Sequence, residues 1–163
     1  SGCGRLLFDT CGPKGLSRFD REVLNAAGVD QVLIELGYGD IIFPTAFGVP
    51  DEIVSADQII AGLKHLDRRA GLGGLRVYGA TIPPNASTPF PNVHTPENEA
   101  KRQAVNQWIR TSRQFDAVVE FDMALRDPSN PLQLLPAYDS GDGIHPNDAG
   151  HEAMARAIPL SLR

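Results

Sequence analysis

The chain has 163 residues with 15 basic and 20 acidic side chains, a formal charge of −5. With 42% hydrophobic and 21% charged residues, that length fits one globular domain over 1–163 rather than a disordered segment. No lysine or arginine block offers a stripe for nucleic acid, and no apolar run approaches the ~18–20 residues of a membrane span.

The chain begins without an initiator methionine and without a basic–apolar–small leader, so it reads as a processed, trimmed or partial polypeptide. Cys3 and Cys11 lie near the start; a disulfide between them is open, and two thiols do not fix the redox compartment. "GLSRFDREVLNAAG" places Leu16, Phe19, Val23 and Leu24 on one helical face, with Gly28 as a stop. "QVLIEL" (31–36) is a short apolar run, as expected of a strand covered on both faces. A loop rich in Gly and Pro follows, through "FPTAFGVP".

Ser55 with Gln58 three residues later forms a capping box for a helix whose apolar stripe is Ile59, Leu63 and Leu66. "LRVYGAT" (75–81) is the second strand, and "IPPNASTPFPNVH" is a proline-rich loop of a length usual for binding surfaces. Its "NAS" at 85–87 fits a glycosylation acceptor, a pattern too short to weigh much. Thr95 as N-cap and Pro96 at the first helical position open a helix with Val105, Trp108 and Ile109 toward the core. "DAVVEF" (116–121) is the third strand, and the last helix runs from about Asn147 to Ile158. Strands separated by helices imply right-handed crossovers and a parallel sheet, with ligands at the carboxyl ends of the strands.

The chemistry concentrates in "YDSGDGIHPNDAGHEAM" (138–154). Three apart on a helical turn, Asp142 would accept a hydrogen bond from one ring nitrogen of His145, fixing the tautomer and leaving the other as a base. On spacing alone, two surface residues in a helix cap box are the simpler explanation of the pair. His65, His94 and His151 read as a helix residue, a loop residue and a structural residue, with His94 a candidate for the cleft wall. No clustered Cys or Glu joins them, so no metal or cofactor is implied. Asp40 and Asp122 at strand ends read as buried caps or loop acceptors rather than a catalytic carboxylate pair.

"SGDGIHPNDAG" resembles the last signature block of the SGNH, or GDSL-type, serine hydrolases. "RLLFD…GPKGLSRFDREVL" resembles the stretch around their second block, "VLIELGYGDI" the third, and "RQAVNQWIRTSRQFDAVVEFDMALRD" the approach to the last. The resemblance implies a three-layer, flavodoxin-like α/β fold and an esterase acting on small carboxylic esters, acyl groups on carbohydrate included. His145 would be the base and Asp142 its orienting acid. Gly2 is the match to an oxyanion-hole glycine, with Gly4 its competitor. Gly39 stands where the family has an asparagine whose amide donates to the oxyanion. Losing such a donor costs ~2.7–4 kcal/mol of transition-state stabilisation. Tyr38, Pro83, Pro84 and the loop after them would shape the substrate pocket.

The Gly-Asp-Ser block that carries the family's nucleophile has no counterpart here. Ser140, five residues before His145, would make a cramped triad. The resemblance therefore implies an upstream segment or companion chain that supplies the serine and its strand; without it, 31–36 would be an exposed, aggregation-prone edge. The alternative is a catalytically inactive or weak binding module that keeps the cleft. Resemblance to exported members suggests an extracellular location, which no residue shows.

Overall fold

The computed structural model describes residues 4–159. Three parallel strands, β1 (Gln31–Ile34), β2 (Arg76–Ala80) and β3 (Ala117–Val119), lie in the order β1-β2-β3. Among the described residues six α-helices surround them: α1 (Gly15–Phe19), α2 (Tyr38–Ala46), α3 (Ala56–Leu72), α4 (Pro96–Thr111), α5 (Phe121–Leu125) and α6 (Asp148–Ala157). Both β-to-β connections step in one direction, which for right-handed crossovers puts α3 and α4 on the same face.

Alternation along β2 separates the two faces. Val77 points into a core with Ile59, Leu63 and Leu66 of α3 and Val105 and Ile109 of α4. Tyr78 and Ala80 point the other way, against Met154 and Ala157 of α6. Helix, sheet and helix thus make the three layers expected. Where β2 passes Phe115, Gly79 is required: a β-carbon there would lie 2.2 Å from the ring.

The caps read from the sequence form as expected. Ser55 and Gln58 bond reciprocally across the first turn of α3, and the Thr95 hydroxyl accepts from the Asn98 N–H at 3.1 Å. The strands are shorter than their apolar runs. Phe121, expected as the end of the third strand, begins α5. The segment around Leu16–Leu24 is a short α-helix running into a π-helical turn.

One element was missed. The stretch expected as a Gly/Pro loop contains α2, nine residues long with Pro44 inside it. Proline removes one hydrogen bond to the carbonyl four residues back. The helix survives because Gly37, at φ 110°, turns the chain sharply out of β1, and Ile41 and Ile42 are buried against the core. β1 is also less covered than a two-faced strand. Among the described residues its outer edge has no partner, and Leu33 is 37% exposed.

Candidate active site

The segments after all three strands meet at one rim. A buried polar network ties the ends of β2 and β3 together. Arg102 on α4, 2% exposed, donates to the Ile82 carbonyl and to Asp122 Oδ1, both at 2.8 Å. Asn106 holds Ile82 from both sides, accepting its N–H at 2.7 Å and donating to its carbonyl at 2.8 Å. Arg110 pairs with Glu120 and with the second Asp122 oxygen. Asp40, 1% exposed, accepts the Leu6 N–H at 2.6 Å and the Leu7 N–H at 2.9 Å. Burial pushes its carboxyl up, against those two bonds and the nearby Arg5 guanidinium. Both acids are therefore structural acceptors, as read from the sequence.

Asp142 and His145 sit in a glycine-shaped loop, not on the helical turn that their spacing suggested. Gly141 and Gly143 adopt φ 104° and 71°. The Asp139 carboxylate accepts from both glycine N–H groups, and the Ser140 N–H donates to the His145 carbonyl at 2.9 Å. Asn147 caps α6 at Gly150 and donates to the carbonyls of Ala137 and Asp139, closing the base of the loop. A closed loop of this kind fixes side-chain directions that one helical turn would leave to rotamer choice.

Within it Asp142 divides its acceptors. Oδ1 takes the main-chain N–H groups of Ile144 (2.9 Å) and His145 (2.8 Å), while Oδ2 lies 2.6 Å from His145 Nδ1. Partial burial alone would raise this carboxyl. The His145 main-chain and ring bonds and the Ile144 N–H outweigh it and hold the pKa at about 2. A carboxylate ionised throughout the neutral range keeps the proton of neutral His145 on Nδ1 and leaves the lone pair of Nε2 free. The imidazole is 58% exposed, open to a reacting partner.

A second chain of bonds crosses the rim beside the loop. Asn85, 4% exposed, donates through Nδ2 to the Tyr38 hydroxyl at 3.0 Å and accepts at Oδ1 from His94 Nδ1 at 3.1 Å. Burial pushes the Tyr38 phenol up, with Asp142 adding to the effect, so it stays protonated. An amide occupied on both sides makes Asn85 a poor glycosylation acceptor. Gly143 packs directly on the turn after Asn85, where a β-carbon would lie 2.4 Å from the Thr88 nitrogen.

Gly39 is the second residue of α2, where N–H groups have no acceptor within the helix. It lies against the main chain of Gly4, whose carbonyl would be 3.2 Å from a β-carbon at 39. Gly2 and Cys3 fall outside the described residues, and Cys11 is disulfide-bonded. Ser140 is tied to His145 through main-chain atoms, and no serine hydroxyl among the described residues is hydrogen-bonded to the imidazole.

Beside the dyad lies an apolar cavity of about 300 Å³, walled by α2, by the loop through Phe90 and Val93, and by Ile144. Tyr38, Pro83 and Pro84, the sequence candidates for the pocket wall, do not line it. The signal for this cavity's wall, Ile42, Phe43, Ala46 and Phe47 spaced three and four apart, is present in the stretch expected as a loop.

The model of the GDSL-like lipase/acylhydrolase family matches residues 5–153. The chain belongs to that family. A GDSL-like lipase from Bacteroides thetaiotaomicron is similar over 90% of this chain and 68% of its own, at 20% identity and a TM-score of 0.73. A catalytic mutant of an acetylxylan esterase from Geobacillus stearothermophilus matches over 87% and 63%, at 23% identity and 0.64. An aryl esterase from M. smegmatis matches over 96% and 72%, at 18% identity and 0.67. The chain thus spans about two thirds of the length of these structures. No curated protein matches it. No helix among the described residues is long and apolar enough to cross a membrane, and no three or more His, Cys, Asp or Glu are grouped to hold a metal.

Proposed function

We propose that this GDSL-family chain forms the larger part of a serine esterase for small carboxylic esters, acyl groups on carbohydrate among them. The observation that carries the reading is the His145–Asp142 pair, bonded at 2.6 Å on an exposed loop at the carboxyl rim of the sheet. His145 Nε2 would take the proton of a serine as it attacks the ester carbonyl. The N–H groups of Gly2 and Gly39 would hold the oxyanion, the backbone at 39 standing in for the family's asparagine amide. Collapse of the tetrahedral species expels the alcohol with the proton from His145, and water then releases the acid by the same base. The serine comes from a segment outside the described residues. Tyr38 and the chain around Pro83 and Pro84 support this rim through Asn85.

A second reading, a binding module without turnover, is favoured by Gly39 in place of an amide donor and by the lack of a serine at the imidazole among the described residues. A fluorophosphonate probe separates the two, with intact masses recorded for every polypeptide in the purified protein. A labelled serine whose labelling is lost in His145→Ala supports the esterase. A single unlabelled species of this chain's mass overturns it in favour of the binding module.

A further inference from the structure

The cavity beside the dyad has no charged or hydrogen-bonding side chain in its wall. Phe43 and Ala46 of α2, Phe47 just beyond it, Phe90, Val93 and Ile144 line the cavity. Ile144 is the residue before His145, and its N–H is bonded to Asp142. Consecutive α-carbons are about 3.8 Å apart, so the cavity is lined by the immediate chain neighbour of the base. Phe47 is 69% exposed and Phe90 52% exposed, which leaves two aromatic rings of its wall largely in water. Apolar surface gathered at a single concave site marks a place where a ligand removes it from water.

We infer that this cavity is an acyl-chain site, built for a straight aliphatic acyl group of about six to eight carbons. The inference rests on the esterase reading and extends it to substrate choice. An apolar cavity of about 150 Å³ accommodates benzene, so about 300 Å³ exceeds what an acetyl group fills and suits the longer chain with its mouth open. A sugar ring would bury hydroxyls against a wall that offers them no partner, a cost the aliphatic chain avoids. The acyl half of the ester, not the alcohol, gains from such a site. It remains bound through both chemical steps, whereas the alcohol departs after the first with the His145 proton.

The test combines binding with turnover. Titrating the chain with octanoate and with butyrate, followed by ligand-observed NMR, needs no nucleophile. Full burial of each methylene is worth about fourfold in affinity, so four methylenes, partly buried, predict octanoate binding at least tenfold tighter. Ala46→Trp, which fills the cavity, should abolish the preference; Phe90→Ser, on the outer wall, should weaken it without crowding the core. Equal binding of the two acids, or a preference that both variants leave intact, overturns the assignment. In the protein with its nucleophile segment, hydrolysis of p-nitrophenyl octanoate is then compared with that of p-nitrophenyl acetate and octyl acetate. Turnover with no acyl-length dependence, or dependence on the alcohol chain instead, overturns the inference while leaving the esterase reading in place. Chain-length-selective binding with no ester hydrolysis by the protein that carries its nucleophile segment upholds the cavity as a site for an aliphatic carboxylic acid and sinks the esterase.

Discussion

Replacing Gly143 with alanine adds one methyl group to the loop that carries Asp142 and His145, at its contact with the rest of the rim. The methyl would lie 2.4 Å from the Thr88 nitrogen and 2.6 Å from both the Ser87 carbonyl carbon and the Thr88 α-carbon. Ordinary carbon contacts need about 3.5–4.0 Å, so the loop must retreat by roughly 1 Å from backbone that has no rotamer to yield. Two costs combine: a β-carbon at φ 71° is strained by about 1–2 kcal/mol, and overpacking adds about 1–3 kcal/mol. Gly141→Ala is the control, since Gly141 also has positive φ but nothing within 4 Å of its β-carbon. Thermal melts of the two variants should differ by about 3–9 °C, with Gly143→Ala the lower. The proton NMR signal of His145 Nδ1–H, bonded to Asp142, should shift or broaden in Gly143→Ala and persist in Gly141→Ala. In the enzyme with its nucleophile, a displacement of that size costs about 100-fold in turnover. Equal melting temperatures with an unchanged imidazole signal in both variants would refute the idea that this contact positions the dyad.

In the enzyme with its nucleophile, Asp142→Asn should lower turnover by about 10⁴-fold, because an amide facing Nδ1 favours the wrong tautomer. The Asp142 pKa of about 2 lies below the ordinary 3.8. Its stabilising contribution is thus present above pH ~4 and lost as pH falls through about 2. Urea midpoints of the wild type and Asp142→Asn should converge over that window, and any acid limb in activity above pH ~4 belongs to another group. Arg102→Met leaves Asp122 buried with Arg110 and, at 3.5 Å, Arg126 as its remaining partners, and should cost about 3 kcal/mol in denaturant unfolding. Thr95→Ala removes the α4 cap, with an expected loss of about 1 kcal/mol in the same assay.

The residues that signal locally were legible in the sequence. Ser55 with Gln58, Thr95 with Pro96, and Asn147 act through hydrogen bonds spanning three residues, so their spacing alone determined three helix starts. The apolar runs around Val32, Val77 and Val118 likewise specified three strands, and helices between them required a parallel sheet. The pairing of Asp142 with His145 was readable for the same reason, although its geometry was not: glycine main-chain angles and Asp139, rather than a helical turn, hold it. Tertiary contact decided the rest. Pro44 argues locally against a helix, and α2 forms because burying Ile41 and Ile42 outweighs one missing hydrogen bond. The cavity wall joins α2 to Phe90 and Val93, far apart in sequence, and Asn85 links Tyr38 to His94 across separate loops. Such arrangements depend on which surfaces meet after the chain has packed, and burial free energy, which sets that meeting, leaves no fixed spacing to read.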